Sequence, residues 1–373
     1  MTYLDYSATT PVDEEVLSTF VEVTRKYIGN PNSLHKLGVE ANKIIQAATK
    51  QIADLLQIKE KEIIYTSGSS ECNNMVIKGI AYKYQNRGKH IITTEFEHSS
   101  IYGPIAVLQQ QGFTVDFVKT NEYGLVDINH LKELLTEDTI LVSIGAVNSE
   151  IGIQQPIEEI VLLLKEYPKC FYHVDMTQAL GKIKIDLSNI DLASFAAHKI
   201  YGIKGIGLLY KKENIVLEPL INGGKSTTVF RSGTPATGLI VSFAKAMRLI
   251  LEHLEKNYSY VKELNLDLID SLKKYENVCI NSNEYCIPNV INISVLGIKP
   301  ETMLHALEEY DIFISTQTAC STGTSSKSVY ALTKDEKRAN SSIRISLSHL
   351  TTKEEIHYFL DCFDKCYNKL KLK

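Results

Sequence analysis

The sequence predicts an α/β fold, with a large domain built on a mostly parallel sheet followed by a smaller α+β domain. Three observations carry this prediction. Short β-rich runs alternate with longer stretches of helical period. Polar residues capable of chemistry stand where those runs end. Beyond about residue 245 the alternation gives way to a long helical stretch and a few late strand-like runs.

The expected strands of the large sheet are residues 62–65, 90–92, 115–118, 140–144, 170–174, 192–195 and 206–210. Among the helical patterns, Leu37, Ala41, Ile44, Ala48, Ile52 and Leu55 fall on one face. Strand, helix and strand in succession require parallel strands covered on both sides. In such sheets ligands sit at the carboxyl ends of the strands. Residues 246–274 read as one long helix that acts as a hinge, and strand-like runs follow at 290–295 and 343–347. Thr352-Lys353-Glu354-Glu355 reads as a capping box opening the last helix. Residues 315–328 are nearly all small and polar, which predicts a mobile loop. The expected division is residues 13–250 for the large domain, and residues 1–12 with 251–373 for the small domain carrying that loop.

The 373 residues, with net charge −4, 44% hydrophobic and 23% charged, have an ordinary globular composition. There is no basic excess or basic tract, so neither nucleic acid nor an acidic membrane surface is an expected partner. No apolar stretch approaches the ~18–20 residues of a membrane helix. The first residues have neither a basic nor an apolar leader. The expected location is cytoplasmic. Seven cysteines without a CxxC pair form neither a disulfide framework nor a zinc site. Cys362 and Cys366, four apart on the last helix, read as packing residues, and no metal is expected.

Thr66-Ser67-Gly68-Ser69-Ser70-Glu71 lies between a strand and a helical pattern. Free N–H groups at a helix start, with the Ser69 and Ser70 hydroxyls beside them, suit a phosphate; a plain serine-rich turn is the alternative. Asp175 ends a strand, with Gln178 three residues on, and a carboxylate there needs a partner. That partner is a cationic ring nitrogen, a lysine or a backbone amide. His198-Lys199 stands between a buried strand and a glycine-punctuated turn, where poor hydration makes an amine nucleophilic. Together, a phosphate cradle, a strand-end carboxylate and such a lysine are the parts that hold pyridoxal 5'-phosphate. His98, in Glu97-His98-Ser99, is a candidate to lie on a cofactor ring and act as acid or base, and a surface histidine at a helix start is the alternative. Asn148 follows a strand and is a candidate for a ring hydroxyl or a helix cap. Cys320 lies among small polar residues, where a thiolate can reach a substrate, and an incidental surface thiol is the alternative. The planar fork of Arg344 suits a substrate carboxylate, and a surface arginine in an ion pair is the alternative.

In this order, these residues resemble the cysteine desulfurases of the class V aminotransferase group. The resemblance runs through Tyr3-Leu4-Asp5 and Ala8-Thr9-Thr10-Pro11, Gly29-Asn30-Pro31-Asn32-Ser33-Leu34-His35, and the turn at 66–71. It continues through Glu97-His98, Asn148-Ser149-Glu150-Ile151-Gly152, His173-Val174-Asp175 with Gln178, Gly181-Lys182, His198-Lys199, Arg231-Ser232-Gly233-Thr234, Ala319-Cys320 and Ile343-Arg344-Ile345-Ser346-Leu347. The resemblance implies a fold type I, pyridoxal-phosphate-dependent enzyme acting on L-cysteine. It implies that Lys199 is the Schiff-base lysine, His98 the ring-stacking residue and Asp175 the partner of the pyridine nitrogen. It places Gln178 and Asn148 near the ring hydroxyl, and Ser69, Ser70 and His198 at the phosphate. Thr234 would reach the phosphate of a neighbouring subunit, implying a homodimer. Arg344 would take the substrate carboxylate and Cys320 the sulfur, for delivery to an acceptor protein in iron–sulfur cluster assembly or tRNA thiolation. The alternatives are a selenocysteine lyase, another β-eliminating enzyme of the group, and a degenerate cofactor-binding scaffold for sulfur-transfer partners.

Four positions depart from the family pattern. Ala196 replaces a phosphate-binding serine, Ser149 an asparagine and Ile203 a proline, and the stretch 223–230 lacks the usual Gln-Glu pair. Weaker cofactor retention than is usual in the family is therefore expected.

Overall fold

The structure is a computed structural model that describes residues 1–316 and 325–371. Cys320 and most of the expected mobile loop lie outside the described residues. The strands are β1 (Thr2–Tyr3), β2 (Ile63–Thr66), β3 (His90–Thr93), β4 (Thr114–Phe117), β5 (Thr139–Gly145), β6 (Phe171–Asp175), β7 (Leu192–Ala196), β8 (Gly207–Lys211), β9 (Val278–Ile280), β10 (Val290–Val295), β11 (Ile312–Phe313) and β12 (Ser342–Ser346).

Seven of them form the large sheet in the order β2-β8-β7-β6-β5-β3-β4. The pairs from β7 across to β4 are parallel, whereas β8 runs antiparallel to both β2 and β7. The short connection from β7 to β8 explains the reversal, because a parallel return needs a crossover of about a dozen residues or more. Glycine allows β8 to lie close to the turn after β2: a Cβ at Gly207 would stand 2.6 Å from the Gly68 Cα.

Both faces of this sheet are buried except at the edge strand β4. Val142, Val174 and Phe195 pack on one side with Ile45, Ile52 and Phe243. Leu141, Leu192 and Leu209 pack on the other with Ile77, Ile80 and Ile91. Neighbouring residues such as Leu141 and Val142 thus serve opposite cores, and the strands read as continuous apolar runs for that reason. A second core surrounds the antiparallel sheet β12-β10-β9 and joins Leu4, Leu264, Leu268, Ile291, Ile343 and Phe359.

The expected helix at 246–274 is instead two helices, Thr237–Glu252 and Leu254–Leu272, broken at His253. Its apolar period runs through the break because the two halves serve different cores. Met247 and Ile250 pack in the large one, Val261 and Leu264 in the second. The capping box at the last helix is present, with Thr352 Oγ1 accepting from Glu355 N and Glu355 accepting from Thr352 N. Cys362 and Cys366 are buried in the second core, as their spacing implies. The described part of the expected loop is partly regular: Ser315 pairs with Arg344, and Ser326 caps a helix beginning at Lys327. Among the described residues, no helix is long and apolar enough to cross a membrane.

Candidate active site

The carboxyl ends of β5 and β6, the turn after β7 and the helix starts beside them enclose a cavity of about 280 Å³. Ser69 and Ser70 line it at the start of the helix Ser69–Tyr84. The N-cap is Gly68, and no side chain caps the helix there. Its first N–H groups and two hydroxyls therefore form a neutral anion cradle.

Asp175 closes β6 and faces the same cavity. Its Oδ1 accepts from Thr177 N at 2.9 Å and its Oδ2 from Asn73 Nδ2 at 2.8 Å. Lys199 ends the short turn Ala197–Lys199 that follows β7, and its Nζ donates to the Ser7 and Ala8 carbonyls at 2.5 and 2.7 Å. The N-terminal segment is tied beside it, since Thr10 N and Thr10 Oγ1 both donate to the His198 carbonyl. Tyr201, two residues beyond Lys199, sits at φ 63°, a costly conformation for a bulky side chain. Thr10 Oγ1 accepts from its N–H at 2.8 Å, and its hydroxyl meets Ser348 Oγ at 2.5 Å.

The cations of the site are crowded. Lys182 is partly buried and donates to Gln178 Oε1 at 2.7 Å. Burial pushes its amine down to about 7, and the charges of Lys199 and Arg344 act in the same direction. His198 is held down to about 4 by burial, reinforced by Lys199, Lys204 and Lys182, so its ring is neutral near pH 7. Gln178 turns its Nε2 to the Ser7 carbonyl at 3.0 Å. Arg344 is only 1% exposed, on a β12 strand that is buried throughout rather than alternating. It donates to Asp5 Oδ1 at 2.7 Å and to the Ser149 carbonyl at 3.0 Å, and its Nε has no partner among the described residues.

His98 caps the helix Ser99–Gln110 and lines the cavity. Asn148 lines it too, but its Oδ1 is committed to the N–H groups of Glu150 and Ile151 and its Nδ2 to the Phe96 carbonyl. In the arrangement seen here it braces a turn. Thr234 is not in this cavity and lines a smaller crevice with Ser226 and Arg231. The structure thus brings together Ser69, Ser70, His98, Asn148, Asp175, Gln178, His198, Lys199 and Arg344 and leaves Thr234 apart. Among the described residues, no group of histidines, cysteines and carboxylates is arranged to hold a metal.

Sequence reading did not assign a role to Glu97. It is partly buried and lines the cavity, where Oε1 accepts from Thr94 Oγ1 at 2.7 Å and Oε2 from Gly145 N at 2.9 Å. Burial pushes its carboxyl up to about 7, Asp175 adds to the rise, and those hydrogen bonds oppose it. A carboxyl raised in the folded state stabilises it fully below the unfolded pKa, and that contribution is lost as pH climbs towards the folded value. Relative to Glu97→Gln, the wild type should lose roughly 3 kcal/mol of stability between pH 4.5 and 7.5, at about 1.4 kcal/mol per unit. Urea unfolding of both proteins across that range measures it. A difference that does not change with pH would contradict the assignment.

Residues 2–359 match the family described as Aminotransferase class-V. "Cysteine desulfurase IscS" of Glaesserella parasuis serovar 5 is 40% identical over 99% of this chain and 93% of its own length. A solved structure called "NIFS-LIKE PROTEIN" superposes with a TM-score of 0.94 at 34% identity, covering 99% of this chain and 100% of that one. Another, "SspA in complex with cysteine", gives 0.83 at 31% identity, covering 94% of this chain and 100% of that one.

Proposed function

This chain belongs to the class-V aminotransferase family, and we propose that it is a cysteine desulfurase that uses pyridoxal 5'-phosphate. The reading takes sulfur from L-cysteine, leaves L-alanine and forms a persulfide on Cys320. The observation that carries it is the meeting of the Lys199 amine, the Asp175 carboxylate and the Ser69–Ser70 helix start in one cavity, with Arg344 in its wall.

The residues fit the cofactor. The uncapped helix start answers a phosphate, a strand-end carboxylate answers a pyridinium, and Lys199 answers an aldehyde. The Ser7 and Thr177 hydroxyls at the site are buried without partners among the described residues, which suits a polar occupant. When bound, the cofactor supplies an electron sink for the charge left at the substrate α-carbon. Asp175 would keep the ring nitrogen protonated, and His98 would face the ring. Gln178 would serve the ring hydroxyl side, with Asn148 bracing the turn at the cavity wall. Ser69, Ser70 and His198 take the phosphate, joined by Thr234 of a second copy in a homodimer. The separate crevice of Thr234 supports that last assignment. Arg344, pre-oriented by Asp5, binds the carboxylate of L-cysteine. The Lys199 amine removes the α-proton. The Cys320 thiolate then attacks the substrate sulfur, the C–S bond breaks, and its electron pair goes to the carbon skeleton that becomes alanine. The persulfide passes to an acceptor protein. Six described thiols are free, consistent with a reducing cytoplasm.

Two measurements test the parts. Arg344→Lys replaces a planar fork with a point charge and should raise the KM for L-cysteine about 10- to 100-fold while cofactor binding persists. An unchanged KM would remove Arg344 from the substrate site. Ala196 pairs with Gly207, which abuts the Gly68 turn, so a hydroxyl at 196 would stand beside the phosphate cradle. Ala196→Ser should tighten cofactor binding by about 1.5–3 kcal/mol in an absorbance titration. No change would place the phosphate elsewhere. Activity itself is tested by adding L-cysteine to the cofactor-loaded protein and measuring alanine.

A further inference from the structure

We infer that Asn73 and Ser100 are positioning residues that fix the Asp175 carboxylate and the protonation pattern of His98 through one continuous hydrogen-bond chain. The inference rests on the cofactor reading above, and it names residues that reading does not use.

Asn73 lies one turn into the helix Ser69–Tyr84 and is fully buried. Its neighbour Asn74 is partly exposed and only returns a bond to the Ser70 carbonyl of its own helix. Asn73 Nδ2 stands 2.8 Å from Asp175 Oδ2 and 2.8 Å from Ser100 Oγ. A carboxylate oxygen accepts, so the nitrogen of the amide must face Asp175. That orientation delivers its second N–H to Ser100 Oγ. The Asn73 oxygen has no partner among the described residues, so the amide acts through its nitrogen alone.

The chain then has a direction. Ser100 Oγ, having accepted from Asn73, turns its own hydrogen to His98 Nδ1 at 2.8 Å. The Ser100 N–H also points to that nitrogen, at 3.2 Å, as the first-turn donor satisfied by the cap. Two donors at Nδ1 leave no place for a proton there, so the ring proton sits on Nε2. Burial lowers the imidazole below its ordinary range, opposed by Asp175 and reinforced by Lys199. His98 therefore meets a ligand in the cavity as a neutral ring whose remaining polar atom is an N–H donor. One buried amide thus orients both the carboxylate that answers the ring nitrogen and the imidazole that answers the ring face.

The test reads the imidazole directly. In the full chain carrying 15N-labelled histidine, with His98 identified by loss of its signals in His98→Gln, nitrogen chemical shifts report the tautomer before and after pyridoxal 5'-phosphate is added. The wild type should show Nδ1 as a bare acceptor and Nε2 protonated in both states. Ser100→Ala should move His98 to a tautomer mixture, and Ser100→Thr should restore the wild-type pattern. Asn73→Ala should lower kcat about 10- to 100-fold with a smaller change in KM, the size of loss expected when a reacting group is misplaced. A proton on His98 Nδ1 in the wild type, or a tautomer unmoved by Ser100→Ala, would overturn the chain. If the wild type takes up no pyridoxal 5'-phosphate, the cofactor reading fails, while the cofactor-free shifts still decide the hydrogen-bond chain.

Discussion

Lys199→Ala should yield a folded protein that no longer holds its cofactor covalently and turns over L-cysteine at least about 10³-fold more slowly. The magnitude follows from two roles lost together. Proton transfer by a positioned side chain contributes about 10²–10⁴-fold, and the covalent attachment point disappears as well. The fold should tolerate the change, because Lys199 makes its described bonds to the Ser7 and Ala8 carbonyls of a strap that Thr10 also anchors. Visible absorbance, mass spectrometry after borohydride reduction and alanine release measure the three consequences separately. A variant that keeps both the reducible adduct and the turnover would move the chemistry to another amine. Lys182 is one candidate, since its amine is pushed down to about 7 and it donates to Gln178, which lines the cavity.

Cys320→Ser should leave cofactor binding and the spectrum intact while abolishing persulfide formation, with alanine release falling at least about 10²-fold. Oxygen in place of sulfur supplies a far poorer nucleophile at neutral pH, where a thiol retains a thiolate fraction. Neither change should disturb the cavity floor, which is built from β5, β6 and the helix starts. Undiminished alanine and a persulfide elsewhere on the chain would assign the sulfur to a different thiol. Two of the described alternatives are poor ones: Cys72 and Cys170 are buried, and burial pushes their thiols up. Undiminished alanine without any persulfide would instead favour a β-eliminating enzyme.

Much of this was legible because the signals are local. The inner strands of the large sheet are apolar runs whose neighbouring residues are buried in opposite cores, and site residues such as Asp175 and Lys199 follow directly from where those runs stop. Thr352 and Glu355 announce a helix start within four residues. What stayed hidden depends on distant partners. Asp5 and Arg344 are 339 positions apart, and nothing near either one announces the ion pair. The role of Asn73 is set by Asp175, 102 positions away, and by Ser100, 27 away. The break at His253 was masked because the apolar period continues while the core it serves changes. The reversal of β8 had a readable signal in the short connection after Lys199, since about a dozen residues are needed to cross over. Glu97 shows the converse limit: a glutamate beside a histidine looks exposed until Thr94 and Gly145 close over it.

The most direct test is to load the purified protein with pyridoxal 5'-phosphate, add one equivalent of L-cysteine without an acceptor, and assay small molecules and peptides together. The account predicts one alanine released per persulfide found, with that persulfide on the peptide carrying Cys320. Pyruvate and ammonia in place of alanine, or alanine with no sulfur retained on the chain, would contradict it.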